Sequence, residues 1–131
     1  MKPYVINLEK ETEENKTFRT VLFTAHYSQL VIMCLKPGEE IGEETHGLDQ
    51  FIRVELGEGE VLLDGKKHAI SDGFAVVVPA GTKHAIINSG EDDLKLYTVY
   101  SPPDHKDGLV HATKKDAEHD IPFDGNVTEK N

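Results

Sequence analysis

The chain has a single cysteine, Cys34, so no disulfide can form within it, in keeping with a reducing compartment. Cys34 sits in the apolar run "QLVIMCL", which reads as core rather than as a nucleophile's surroundings. No apolar run reaches the length of a membrane-spanning helix. The opening "MKPYVINLEKETEEN" lacks the apolar centre of a secretory signal, and the expected location is cytoplasmic. Positive charge is scarce as well. With 14 Lys and Arg against 24 Asp and Glu, the formal net charge is -10, which disfavours nucleic acid and anionic membrane surfaces as partners. There is no internal repeat, and no helical pattern alternates with strands, which excludes a parallel βαβ design.

What remains fits one domain. Its 131 residues, 37% hydrophobic, supply a small core, so a homodimer is the expected means of burying more apolar surface. Residues 7–15 contain helix formers after Asn7, an N-cap type, but so few apolar side chains that only a short surface turn is expected. From Phe18 the composition becomes β-branched and aromatic, and "FRTVLFTAHYSQLVIMCL" reads as one or two strands. Asp64-Gly65 marks a type I′ hairpin between "EVLL" and "KKHAI". "FAVVV" is apolar on both faces and predicts a strand buried on both sides, stopped by Pro79. In "DLKLYTVYS", Leu94, Leu96, Thr98 and Tyr100 share one face. The tail, 102–131, is polar and broken by turns. It offers Val110, Ile121 and Phe123 as anchors and a short helix capped by Thr113 and Asp116. The expected layout is an N-terminal extension over 1–17, a β-sandwich or barrel over 18–101, and this tail.

Four residues form a pattern with metal-binding chemistry. Glu44 and His46 are two apart and face one side of a strand; Gln50 follows past a turn, and His84 comes from a distant strand. Two imidazoles and two oxygen donors suit Zn, Fe, Mn, Co or Ni. Equally, Glu44 can be a solvent-facing acid among Glu39, Glu40 and Glu43, with Gln50 lining a metal-free polar cavity. His26 is a weak catalytic candidate in a strand-like run, and Tyr100 a candidate for the pocket wall. His68 reads as exposed. His105, His111 and His119 read as surface residues of the tail, with a cover over the barrel mouth as the alternative. Arg53 and Glu55 alternate with Gln50 and point outward.

The spacings resemble those of the cupin superfamily. Gly38, Glu44-Thr45-His46, Gln50 and Gly57 fall at the positions of the first cupin motif. "GFAVVVPAGTKHAIIN" matches the second at Gly73, Pro79, Gly81, His84 and Asn88. The resemblance, closest to small single-domain cupins of the sugar-phosphate-isomerase-like kind, implies an all-β, conical, antiparallel jelly-roll barrel. It also implies dimers and one divalent metal ion. The family's usual ligands are three histidines and a glutamate; here Glu44 stands in place of the first histidine and Gln50 in place of the glutamate. Functions so implied are metal-dependent chemistry on a small organic molecule, such as oxygenation or isomerisation, or non-catalytic binding of a sugar or similar ligand. A third reading is a structural domain with a filled barrel.

Overall fold

A computed structural model describes residues 1–129. The chain starts with a helix, α1 (Leu8–Glu14), and continues through nine strands: β1 (Arg19–Thr24), β2 (Gln29–Leu35), β3 (Glu40–Glu44), β4 (Asp49–Leu56), β5 (Glu58–Leu63), β6 (Lys66–Ser71), β7 (Ala75–Val78), β8 (His84–Ile87) and β9 (Leu94–Ser101). The tail adds a two-residue strand, β10 (Val110–His111), and a 3-10 helix, Lys114–His119. Every strand pair is antiparallel. They form a six-stranded sheet in the order β10-β1-β2-β9-β4-β7 and a four-stranded sheet in the order β3-β8-β5-β6, the all-β jelly-roll arrangement. The tail therefore completes an edge of the larger sheet.

Alternation along the strands builds the core. Ile52 and Val54 of β4, Leu94 and Leu96 of β9, and Val31, Met33 and Leu35 of β2 meet Val61, Ile70 and Ile86 of the smaller sheet, all buried. The Asp64-Gly65 turn has positive φ at both residues (49° and 83°), as a type I′ hairpin requires. Gly57 has φ 96°, and a Cβ there would stand 2.5 Å from the carbonyl oxygen of Asp93. This motif position is closed to any other residue by backbone contact alone.

Three local expectations are corrected. Residues 8–14 form a true α-helix rather than a surface turn. Asn7 caps it by accepting from Lys10 N (3.2 Å), and Lys95 Nζ binds the carbonyl of Glu13 (2.7 Å). The helix packs on β9, β4 and β2, so Cys34 and Ile32 are buried on the face of β2 turned from the core. Burial pushes the Cys34 thiol up to about 11, which keeps it protonated. The second correction concerns β7, an edge strand: Val76 and Val78 are buried, but Val77 is 63% exposed and Phe74 half exposed. Third, Val110 and Ile121 do not anchor the tail; both are exposed.

Asn88 ties the end of β8 to its neighbours. Its side-chain amide donates to the carbonyls of Leu35 (2.8 Å) and Asp92 (2.9 Å), and its Oδ1 accepts from Gly90 N (3.0 Å). It is fully buried, so nothing else can satisfy those groups. Asn88→Ala is expected to cost roughly 1–3 kcal/mol for the groups left unpaired. Urea unfolding should show a lower midpoint with an unchanged slope.

Candidate metal centre

The position of the site depends on a register shift. β3 and β8 pair Glu40 with Ile87 and Ile41 with Ile86, then Glu44 with His84. Three steps along β3 match two along β8, so one extra residue is accommodated as a bulge. In a regular ladder Glu43 would oppose His84. The bulge puts Glu44 there instead, while Glu43 forms an ion pair with Lys83 (3.1 Å). Glu44 makes no ion pair among the described residues. His46 lies beyond the end of β3, in the loop to β4. That loop is held by the Pro79–Gly81 turn: Gly81 N donates to the carbonyl of His46 (2.9 Å), and Ala80 N to Asp49 Oδ1 (2.9 Å).

One ligand atom each from Glu44, His46 and His84 lies within 4.8 Å of the others. The two imidazole rings meet edge to face, 4.7 Å apart. His84 Nδ1 lies 2.9 Å from the carbonyl oxygen of Thr82, which can only accept, so Nδ1 carries the proton and Nε2 keeps its lone pair. Gln50, buried at the start of β4, donates through Nε2 to Thr98 Oγ1 (3.0 Å). Its Oε1 is thereby turned towards His46 Nε2, 3.2 Å away. An amide oxygen can only accept, so His46 Nε2 donates to it; the separation is also close to the roughly 3 Å between neighbouring ligands of an octahedral ion with bonds of about 2.1 Å, which would displace that proton. His46 Nδ1 is buried without a hydrogen-bond partner. The donors present thus fit a divalent cation: two imidazoles, a carboxylate and an amide oxygen.

Glu44 and His46 form part of the wall of a cavity of about 820 Å³, together with Tyr100, Arg19 and His105. Tyr100 is 4% exposed, and burial raises its phenol well above the usual range, so it stays neutral. His26 is elsewhere: it is exposed in the turn between β1 and β2 and does not line this cavity, because the strand-like run breaks into a hairpin there. His68 and His119 are exposed.

The tail supplies what sequence reasoning assigned to the surface. His105 and His111 are both 3% exposed. The reason lies in Gln29, which is buried and satisfies all four hydrogen-bonding positions of its amide. Nε2 donates to Thr24 Oγ1 (2.9 Å) and the carbonyl of His105 (2.7 Å), while Oε1 accepts from Asp104 N (3.2 Å) and His105 N (3.0 Å). Further along, Thr128 exchanges hydrogen bonds with the backbone of Thr24. Polar ties do what Val110 and Ile121 do not, alongside the half-buried Leu109 and Ala117 that pack on the core, and an isolated glutamine at the start of a strand is the sequence signal for them. His105 Nδ1 lies 3.0 Å from Asp120 Oδ1; its Nε2 has no hydrogen-bond partner, with Asp104 Oδ2 3.5 Å off. Burial first, and the Arg19 charge second, lower the His105 pKa, although Asp104 and Asp120 oppose them.

The sequence profile of the cupin domain family matches residues 31–100. The uncharacterized protein YrkC of Bacillus subtilis is 46% identical over 123 residues, covering 88% of this chain and 66% of YrkC. The uncharacterized protein L612 of Acanthamoeba polyphaga mimivirus is 49% identical over 113 residues, 82% of this chain and 70% of that one. The crystal structure of BH2720 from Bacillus halodurans superposes with a TM-score of 0.88 at 42% identity, over 90% of this chain and 95% of the other. With both motifs in the barrel and that profile over more than half its length, the chain belongs to the cupin superfamily as a small cupin domain.

Proposed function

We propose that this chain is a metal-dependent cupin that acts on a small organic molecule in the 820 Å³ cavity, with Glu44, His46, Gln50 and His84 holding one divalent ion. The observation that carries the reading is the convergence of Glu44, His46 and His84 beside the cavity, whose wall includes the first two, where the β3 bulge directs Glu44 towards His84 rather than towards Lys83. A divalent ion bound there supplies a Lewis acid able to polarise an oxygen of the substrate. The protein side of the chemistry needs a proton carrier, and His105 fits that role. With Nδ1–H given to the Asp120 carboxylate, Nε2 keeps a lone pair, buried behind the cavity wall beside Asp104, which a substrate reaches only when Asp104 moves aside. Its lowered pKa keeps the ring neutral near pH 7, as a general base requires. Tyr100, edge-on to both His46 (6.4 Å) and His105 (5.2 Å), joins the two halves of the pocket and contributes a neutral phenol.

The homodimer reading rests on an apolar row across the outer face of the larger sheet. Val77, Phe51, Val99, Leu30 and Phe23 are successive cross-strand neighbours. Phe51 and Val77 are exposed at its β7 end. A second copy of the chain would cover this surface.

Three measurements test these statements. Protein purified without an affinity tag should carry about one divalent ion per chain by elemental analysis, lost in Glu44→Ala and in His84→Ala. Parent protein that stays metal-free even after loading would refute the site. Long-range 1H–15N spectra should show His105 as the Nδ1–H tautomer, titrating below the ordinary histidine range. Asp120→Asn should lower that pKa further, because it removes a carboxylate that favours the charged ring. Light scattering should give a dimer for the parent and a monomer for Val77→Lys; a monomeric parent rejects the dimer.

A further inference from the structure

Arg19 is 6% exposed and lines the cavity, yet it forms no ion pair among the described residues. Among the described residues its guanidinium makes one hydrogen bond, from Nη1 to His111 Nδ1, 3.1 Å away, which must accept and so belongs to an uncharged ring. Nε is buried and unpartnered. Burial and the Arg19 charge both lower the His111 pKa, so the cation is left facing a neutral group. The ring of Phe18, 5.4 Å from the guanidinium carbon, adds a weak cation–π contact.

A buried guanidinium without a counter-charge is costly, and buried charges are as a rule paired, so a ligand's anion is the natural complement here. Asp104 and Asp120 lie in the same cavity but are directed at His105. Arg19 is close enough to act on the charges of Tyr100, His105 and His111. It shares the cavity wall with Glu44 and His46 of the candidate metal cluster.

We infer that the cavity's ligand carries a carboxylate and that Arg19 is its seat. The inference rests on reading the cavity as a small-molecule site. A planar carboxylate matches the guanidinium fork. A dianionic phosphate matches it too, but would face the carboxylates of Glu40, Glu44, Asp104, Glu118 and Asp120 across the cavity with twice the charge. The pocket's charge balance therefore favours the monoanion. Lys114 and Lys115 also reach the cavity, but both are exposed, so water screens them.

Acetate is the simplest probe of this seat. EDTA-treated protein, in which no coordinated ion can take the acetate, is titrated at constant ionic strength and followed by NMR. A saturable shift of the Arg19 Nε–H signal is expected, with acetamide silent and inorganic phosphate weaker than acetate. Read from the Ile41 methyls and the Tyr100 ring, Arg19→Gln should bind at least about tenfold more weakly, and Arg19→Lys should fall between. The double variant Lys114→Gln, Lys115→Gln should remain within about twofold of the parent. No saturable shift by about 200 mM acetate, an equal response to acetamide, or parent-like binding by Arg19→Gln would overturn the inference. Failure with acetate alongside stoichiometric metal loading removes the carboxylate seat and leaves the metal reading intact. Acetate binding by a chain that never takes up metal does the opposite.

Discussion

A one-residue bulge between β3 and β8 sets the geometry on which the rest of the site depends. Side chains of a strand alternate strictly between faces, so one inserted residue exchanges inward and outward positions beyond it. Glu44 therefore opposes His84, and Glu43 is released to Lys83. His46 continues from the same strand end, and its carbonyl is pinned by Gly81 of the second motif. The two motifs thus meet through backbone hydrogen bonds before any ion is considered. Asn88 holds the other end of β8 by the same means.

Charge explains how a cupin can depart from the family's usual ligands at two positions. The substituted set still presents one carboxylate and three neutral donors, so the formal charge around a divalent ion is conserved. Gln50 is a weaker donor than glutamate, but Thr98 fixes its amide with the oxygen towards His46.

The tail is held along the β1 edge and in the cavity wall by polar groups. Gln29 and Thr24 offer the backbone of 104–105 and Thr128 a full set of partners. Buried polar atoms tolerate no half-measures, so these ties specify one placement of the segment more sharply than scattered apolar contacts would. That placement buries His105 and His111 around Arg19, and their shifted pKa values follow from burial and the guanidinium together.

The strands other than β3 and β10, the Asp64-Gly65 hairpin, the alternating faces of β9 and the cupin motifs are legible in the sequence, because each depends on residues close together in the chain; β3 is not, since "KPGEEIGEE" has the composition of a turn or loop. Legible too is the inward face of Gln50 and Tyr100, which follows from the two-residue period of a strand. The helix at residues 8–14 is not legible because what holds it, packing on β9, β4 and β2 and a hydrogen bond from Lys95, 82 residues away, comes from distant strands. His26 was misjudged because a hairpin turn inside an apolar run carries no glycine or proline to announce it. Tertiary structure alone decided which of Glu43 and Glu44 opposes His84, since a bulge is a property of a strand pair. It alone decided that Arg19, His105 and Asp120 share one cavity, since their proximity depends on how a polar tail folds back across the barrel. Sequence determined the repeat of the pleat; pairing between distant segments determined where that repeat slips, and with it where the chemistry can occur.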